Sequence, residues 1–170
     1  MIEIIYYKSP LGDLKISGDD TSISELLFVH TNKNGSIENN SIEYLIPASV
    51  ALKKCITQLD DYFCGRNLKF DMALLQQGTA FQQQVWNGLI SIPAGQTISY
   101  LQLSKKLGNV KAIRAVGTAN GKNNIAIIVP CHRVIGNNGD LVGYAGDLWR
   151  KKWLLEHEAK YVNGVQSLFG

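Results

Sequence analysis

Ile127-Ile128-Val129-Pro130-Cys131-His132-Arg133-Val134-Ile135-Gly136 is the stretch on which the reading of this chain turns. An apolar, β-branched run of this kind reads as a buried strand. Pro130 has no N–H to give to a ladder and biases Val129 towards extended backbone, so pairing is expected to break just before the sulfur. Cys131 then stands at the break, and the strand resumes at Val134-Ile135. His132 follows directly, and histidine is the usual partner that turns a thiol into a thiolate. Neighbouring strand residues face opposite ways, so a water can bridge the two as well as a direct bond can. Alone the pair is weak evidence, because a core thiol beside a satisfied imidazole is the commoner arrangement.

The rest of the chain narrows the choice. Its 170 residues have room for one or two small domains, each with a modest core. No apolar run approaches the roughly 18 residues that a membrane span needs. Met1-Ile2-Glu3-Ile4-Ile5 lacks the basic flank of a signal peptide, so the expected location is the cytoplasm, or the nucleus in a eukaryote. Three cysteines, Cys55, Cys64 and Cys131, are an odd number and suggest reduced thiols, not a disulfide framework. No Cys or His cluster has zinc spacing, and neither a metal nor a cofactor is expected.

Charge is divided unevenly. Residues 1–77 hold seven Lys or Arg against ten Asp or Glu, net −3; residues 78–170 hold ten against four, net +6. No acidic residue lies between Asp71 and Asp140, a span that contains Lys105, Lys106, Lys111, Arg114, Lys122 and Arg133. A basic surface kept clear of carboxylates suits a polyanion, most simply a nucleic-acid backbone. The asymmetry also marks a boundary near Gln76-Gln77-Gly78, with domains expected at 1–77 and 78–170.

The first half reads as a small α+β unit. Strands are expected over residues 2–8, 14–17 and 23–30, a polar loop over 32–40, and a helix from Pro47 to Phe63. Leu52, Cys55, Ile56, Leu59 and Phe63 fall on one face of that helix, which makes Cys55 a core residue. In the second half Thr79 is positioned to cap a helix over 80–91. Ser99 caps a short helix over 100–107 that Gly108 ends, and Asn109 is expected to cap a further helix over 111–120. Two short helices joined by residues 107–110 fit a helix-turn-helix. On the second, Lys111 and Arg114 precede the small residues Ala115, Gly117, Thr118 and Ala119, which either admit a close-approaching surface or serve internal packing.

These residues resemble the O6-alkylguanine-DNA alkyltransferases, which repair O6-methylguanine in DNA. The likeness is carried by Ile-Val-Pro-Cys-His-Arg-Val-Ile-Gly at the active-site stretch, Arg-Ala-Val-Gly-Thr-Ala-Asn-Gly-Lys-Asn at 114–123, and Thr-Ile-Ser-Tyr at 97–100. Gly-Thr-Ala-Phe-Gln-Gln-Gln-Val-Trp at 78–86, Gly-Tyr-Ala-Gly at 143–146 and Lys-Trp-Leu-Leu-Glu-His-Glu at 152–158 extend it over nearly all of 78–158. The resemblance implies an α+β fold: a small ribonuclease-H-like N-terminal domain and a winged-helix-like C-terminal domain with a helix-turn-helix.

It also implies roles. Cys131 would take the alkyl group from guanine O6 once and irreversibly, His132 would polarise it through a water, and Glu158, on a helix over 148–159, would hold the imidazole. Leu148, Trp149, Lys152, Trp153 and Leu155 are the side chains expected to anchor that helix. Asn123 would tie the preceding turn to the cysteine segment. The base must leave the stack of a duplex, bound through its minor groove by a monomer. Arg114 would fill the gap, Ala115 and Gly117 would let the helix approach, and Thr118 and Lys111 would meet the backbone. Tyr100 would donate its hydroxyl to the base. Main-chain groups around Cys131 and Val134 would read the exocyclic amine, Tyr144 would wall the pocket, and Ala145 stands where many relatives have serine. Three alternatives stay open at this point: a non-catalytic lesion binder, a helix-turn-helix regulator, and a cysteine hydrolase with an oxyanion hole.

Overall fold

The computed structural model describes residues 1–29, 43–144 and 146–163. The loop expected over 32–40 and the pocket residue Ala145 lie outside the described residues. The chain divides into two compact units, Met1–Gln76 and Gln77–Gly170.

In the first unit, strands β1 (Glu3–Ser9), β2 (Gly12–Gly18) and β3 (Ile23–Phe28) form an antiparallel sheet in that order. Ile5 pairs with Ile16 and Leu14 with Phe28, and all four are buried in the core. Helix α1 (Val50–Phe63) buries Leu52, Cys55, Leu59 and Tyr62. It does not begin at Pro47, as the proline suggested, but at a better cap. Ser49 Oγ accepts from Leu52 N at 3.2 Å, while the Glu3 carboxylate accepts from the N–H groups of Ala48 and Ser49, each at 2.9 Å. Burial pushes the Cys55 thiol up to about 12, so it is a packing residue.

The second unit holds α2 (Ala80–Ile90), β4 (Ile98–Ser99), α3 (Tyr100–Lys106), α4 (Ile113–Gly121), β5 (Val134–Ile135) and α5 (Leu148–Asn163). Thr79 and Gln82 form a capping box on α2, and Ser99 and Gln102 form another on α3. Helix α3 ends in a Schellman motif: Gly108, at φ +79°, sends its N–H to Lys105 O, and Asn109 N–H reaches Ser104 O at 2.9 Å. That bond closes α3, and it leaves Asn109 in no geometry to cap the next helix. Its side chain makes no cap bond. A 3-10 turn over Val110–Ala112 intervenes, so α4 starts two residues later than expected. Trp86 Nε1–H donates to Ala119 O at 3.0 Å and anchors α4 to α2.

The strand expected over 127–129 does not form. Its apolar residues are buried, but they are wound into turns: Ile128 N donates to Ala126 O at 2.7 Å and Val129 N to Ile125 O at 3.0 Å. Ile127 takes φ +71°, in the left-handed region, which no strand residue adopts. The apolar run reflected burial without extension. Cys131–Arg133 is a 3-10 turn, and only Val134 and Ile135 are strand, pairing in parallel with Ile98 and Ser99.

A buried β-branched residue in the left-handed region sets two effects against each other. Burying an isoleucine is worth about 1.5–3 kcal/mol. The left-handed conformation costs an L-residue about 1–2 kcal/mol. Burial wins, so both Ile127→Ala and Ile127→Gly should destabilise in urea melts. Glycine, free of the conformational cost, should be the more stable of the two by about 1 kcal/mol. That is the reverse of their order in a helix or strand, and an alanine variant as stable as wild type would show that Ile127 is not a buried anchor.

Candidate active site

The site is built from four segments of the second unit: the N-terminus of α3, the turns over 123–133, the loop over 136–144, and α5. Asn123, buried, is the tie across the turns. Its side-chain Nδ2 donates to Val129 O at 2.8 Å and to Ile125 O at 3.3 Å, and its Oδ1 accepts from Ile125 N at 3.1 Å. The Cys131 N–H then donates to Val129 O at 2.8 Å, folding the chain about Pro130. Cys131 is 6% exposed. Burial pushes its thiol above the ordinary value, while the Asn123 side chain and the Lys151 charge pull it back. At rest the sulfur is therefore protonated, and its reaction needs a base.

His132 and Glu158 are both fully buried, with Nε2 2.7 Å from Oε1. Burial by itself would raise the Glu158 carboxyl, but the charges and hydrogen bonds of His132 and Arg133 hold it well below the usual carboxylate range. An ionised carboxylate only accepts, so His132 Nε2 carries a proton, and the site left for a lone pair when the ring gives up its second proton is Nδ1. Nδ1 is buried and has no hydrogen-bond partner in the structure. Side chains of successive residues in a 3-10 turn point about a third of a turn apart. The thiol and the imidazole thus diverge.

Arg133 is the residue whose place the sequence did not reveal. Its charge groups it with the basic surface; in the fold it is 6% exposed and gripped by Glu158, Nε to Oε2 at 2.9 Å and Nη2 to Oε1 at 2.7 Å. Its Nη1 donates to Ile92 O at 2.6 Å. Lys151 is the second such residue. It is fully buried, with Nζ donating to Val134 O at 2.6 Å and to Val142 O at 2.8 Å. Burial lowers its pKa to about 8, against an upward pull from Cys131. Helix α5 is therefore anchored by Lys151, Leu154, His157 and Glu158. Of the side chains expected to anchor it, Leu148 and Trp149 are about half exposed, Lys152 is exposed, and Trp153 and Leu155 are half-buried. The buried face follows a spacing of three, six and seven from Lys151, a pattern legible only if a lysine is allowed onto it.

Tyr100, at the start of α3, is half-buried. Its hydroxyl donates to Val142 O across 3.4 Å, and burial raises its pKa. Tyr144 is half-buried and lies close enough for the Cys131 charge to act on it. The Val134 carbonyl accepts from Lys151 Nζ and keeps a second lone pair. On α4 the residues split by face: Lys111 before the helix and Arg114, Ala115 and Thr118 on it are exposed, while Val116, Ala119 and Asn120 are buried. Thr118 Oγ1 donates back to Arg114 O at 3.0 Å. Gly117 faces inward, and a Cβ there would meet the Tyr100 ring at 3.9 Å. That is an ordinary van der Waals contact, so packing against Tyr100 does not by itself require glycine. Among the described residues no group of three or more His, Cys, Asp or Glu is placed to hold a metal ion.

Two family models match the chain. The ribonuclease-like domain of 6-O-methylguanine DNA methyltransferase matches residues 2–76, and the DNA-binding domain of the same family matches residues 80–160. A methylated-DNA–protein-cysteine methyltransferase from Methanosarcina mazei is 43% identical, the alignment covering 91% of this chain and 97% of that one. One of the same description from Mycobacterium leprae is 42% identical over 99% of both. The crystal structure of Mycobacterium tuberculosis OGT in complex with DNA superposes with a TM-score of 0.79 at 40% identity, covering 92% of each chain.

Replacing Glu158 by glutamine should leave Arg133 a buried, uncompensated charge, at a cost of about 3 kcal/mol in urea denaturation near neutral pH. The exposed Glu156, 3.9 Å from Lys152, gives the control: Glu156→Gln should cost less than about 1 kcal/mol. A carboxyl whose folded pKa is depressed stabilises fully above its unfolded pKa, 4.5, and progressively less as pH falls towards the folded value. The gap between wild type and Glu158→Gln should therefore shrink on acidification below about pH 4.5. A gap constant with pH would remove the charge from the explanation.

Proposed function

This chain belongs to the 6-O-methylguanine DNA methyltransferase family, and from that premise we propose that it is a single-use DNA repair protein that moves the alkyl group of O6-methylguanine onto its own Cys131. The observation that carries the reading is a buried imidazole, next in the chain after the buried Cys131, that is bonded at Nε2 to an ionised carboxylate. His132 Nδ1 has its lone pair exposed to the interior and takes the Cys131 proton through one water. The sulfur attacks the alkyl carbon, the C–O6 bond breaks with its electron pair passing to the purine, and the proton taken from the thiol ends on the departing guanine. The products are an S-alkylcysteine and neutral guanine. An S-alkylcysteine is a thioether that water does not cleave near neutral pH, so each chain acts once.

A base stacked in a duplex must be extruded before Cys131 can reach it, at a cost of a few kcal/mol. Helix α4 supports a role in that step, because its exposed face carries Arg114 flanked by Ala115 and Thr118, with Lys111 just before it. We assign Arg114 to the gap left by the base, with the helix approaching from the minor groove and Lys111 meeting phosphate. Tyr100 donates its hydroxyl to the extruded base, Tyr144 walls the pocket, and Asn123 keeps the turns rigid. The protein works as a monomer on DNA, in the cytoplasm, or in the nucleus of a eukaryote. The lesion-binding alternative lacks a use for the Cys131 thiol, and the regulator alternative accounts for neither that thiol nor the buried His132–Glu158 pair. A hydrolase would require turnover.

Arg114→Ala separates extrusion from attraction. The variant should react with O6-methylguanine duplex at least tenfold more slowly, yet with free O6-benzylguanine at close to the wild-type rate, since the free base needs no extrusion. Lys111→Ala should weaken duplex binding modestly and lower its salt dependence by about one counterion. Equal slowing of Arg114→Ala on duplex and free base would place Arg114 in fold or chemistry and end the extrusion assignment.

A further inference from the structure

Lys151 is the fully buried lysine among the described residues, and no carboxylate among them pairs with it. Its partners are two main-chain oxygens, Val134 O at 2.6 Å and Val142 O at 2.8 Å. Taking an ammonium out of water is costly, and an apolar side chain of similar length usually serves stability as well or better. A lysine kept in such a place points to a use for its donors.

The use lies at Val142. That carbonyl is shared: Tyr100 hydroxyl also reaches it, but across 3.4 Å, beyond the 2.5–3.0 Å of a well-made O–H···O bond. Charged donors bind a carbonyl more strongly than neutral ones, so the ammonium holds this oxygen and the phenol is only loosely attached to it. The Asn120 side chain also bonds the phenol, in the sense that lowers its pKa, as a donor to the phenol oxygen does. The next residue, Gly143, sits at φ +61°, where a Cβ would come within 3.5 Å of the Tyr100 oxygen. No side chain therefore comes between the hydroxyl and the loop. A phenol tightly bound to Val142 O would have to give up a good bond to serve a ligand; a loosely held one does not.

We propose that Lys151 is a positioning residue that acts through Tyr100: by occupying the Val142 carbonyl it keeps the phenolic O–H free to donate a hydrogen bond to the guanine as it leaves. The proposal rests on the reading in which Tyr100 assists the departing base. Tyr100 remains a phenol throughout, and the overall transfer is that given above. Lys151 also fixes the loop to β5 through Val134, so its two bonds align the pocket wall with the donor.

The test is a double-mutant cycle on the full chain with Y100F, K151M and the double variant. Transfer from free O6-benzylguanine is measured by the mass added at Cys131. Each rate is divided by that variant's rate of Cys131 alkylation by iodoacetamide, which needs no donor to a leaving base, so any effect of the lysine charge on the thiol cancels. K151M should lower the normalised rate at least tenfold in the wild-type background and less than threefold in the Y100F background. K151R, which keeps charged donors, should restore at least a third of the rate. An equal loss in both backgrounds would overturn the Lys151 proposal and leave Tyr100's role standing. A normal rate for Y100F would instead overturn the reading of Tyr100 itself. Should K151M not fold, K151Q, which keeps one amide donor but loses the second bond, takes its place in the cycle: a loss confined to the wild-type background supports the proposal, and an equal loss in both overturns it.

Discussion

One buried carboxylate holds the site together. Glu158 lies at the inner face of α5 and takes three N–H groups from two consecutive residues, His132 and Arg133. A carboxylate has lone pairs enough for all three donors, and the guanidinium supplies the charge that keeps it ionised in a dry place. The consequence reaches two residues back along the turn. With Arg133 and His132 clamped from one side and Asn123 gripping Val129 and Ile125 from the other, Cys131 has no freedom to move. The same carboxylate sets the imidazole tautomer, so the fold constraint and the chemical one are a single interaction. Losing it would cost position and proton affinity together.

The proposed chemistry and the proposed nucleic-acid face lie on different elements with a shared support in the packing. Trp86 ties α4 to α2 through Ala119 O, and Arg133 ties the active-site turn to the end of α2 through Ile92 O. The ring of Tyr100 lies close to α4 at Gly117. Helix α2 is thus a common support, and the exposed side of α4 remains clear of it. A charged side chain at the tip, Arg114, can engage a ligand without disturbing the buried ion network. The division also explains the charge pattern of the sequence. Acids are absent from the exposed basic face, while Glu158, the acid that pairs with His132, sits on α5, outside the acid-free span.

Local rules revealed most of the elements. Thr79 with Gln82 and Ser99 with Gln102 are capping boxes visible as spacing alone, and Gly108 ended α3 as a left-handed residue should. Two kinds of feature were hidden. Residues 127–129 read as a strand because an apolar β-branched run reports burial, and burial does not distinguish a strand from a tightly turned segment. Arg133 and Lys151 read as surface cations because charge is usually exposed; their burial depends on Glu158 and on two carbonyls, 25 residues and 9 to 17 residues away. Such pairings are set by the assembled fold. The family motif placed Cys131, His132 and Glu158 in one reading, and the geometry of the last two agrees with a base and its orienting group, although spacing alone would have left Glu158 an ordinary helix carboxylate.

Cys131 as the acceptor, consumed in the act, is the claim on which the rest stands. Intact mass of the full chain, measured after incubation with excess duplex carrying O6-methylguanine and followed by peptide mapping, tests it most directly. We expect one added methyl group per chain, confined to Cys131, with no further transfer however much substrate is supplied. Unmodified protein, a methyl mapped to Cys55 or Cys64, or repair of many lesions per chain would contradict it.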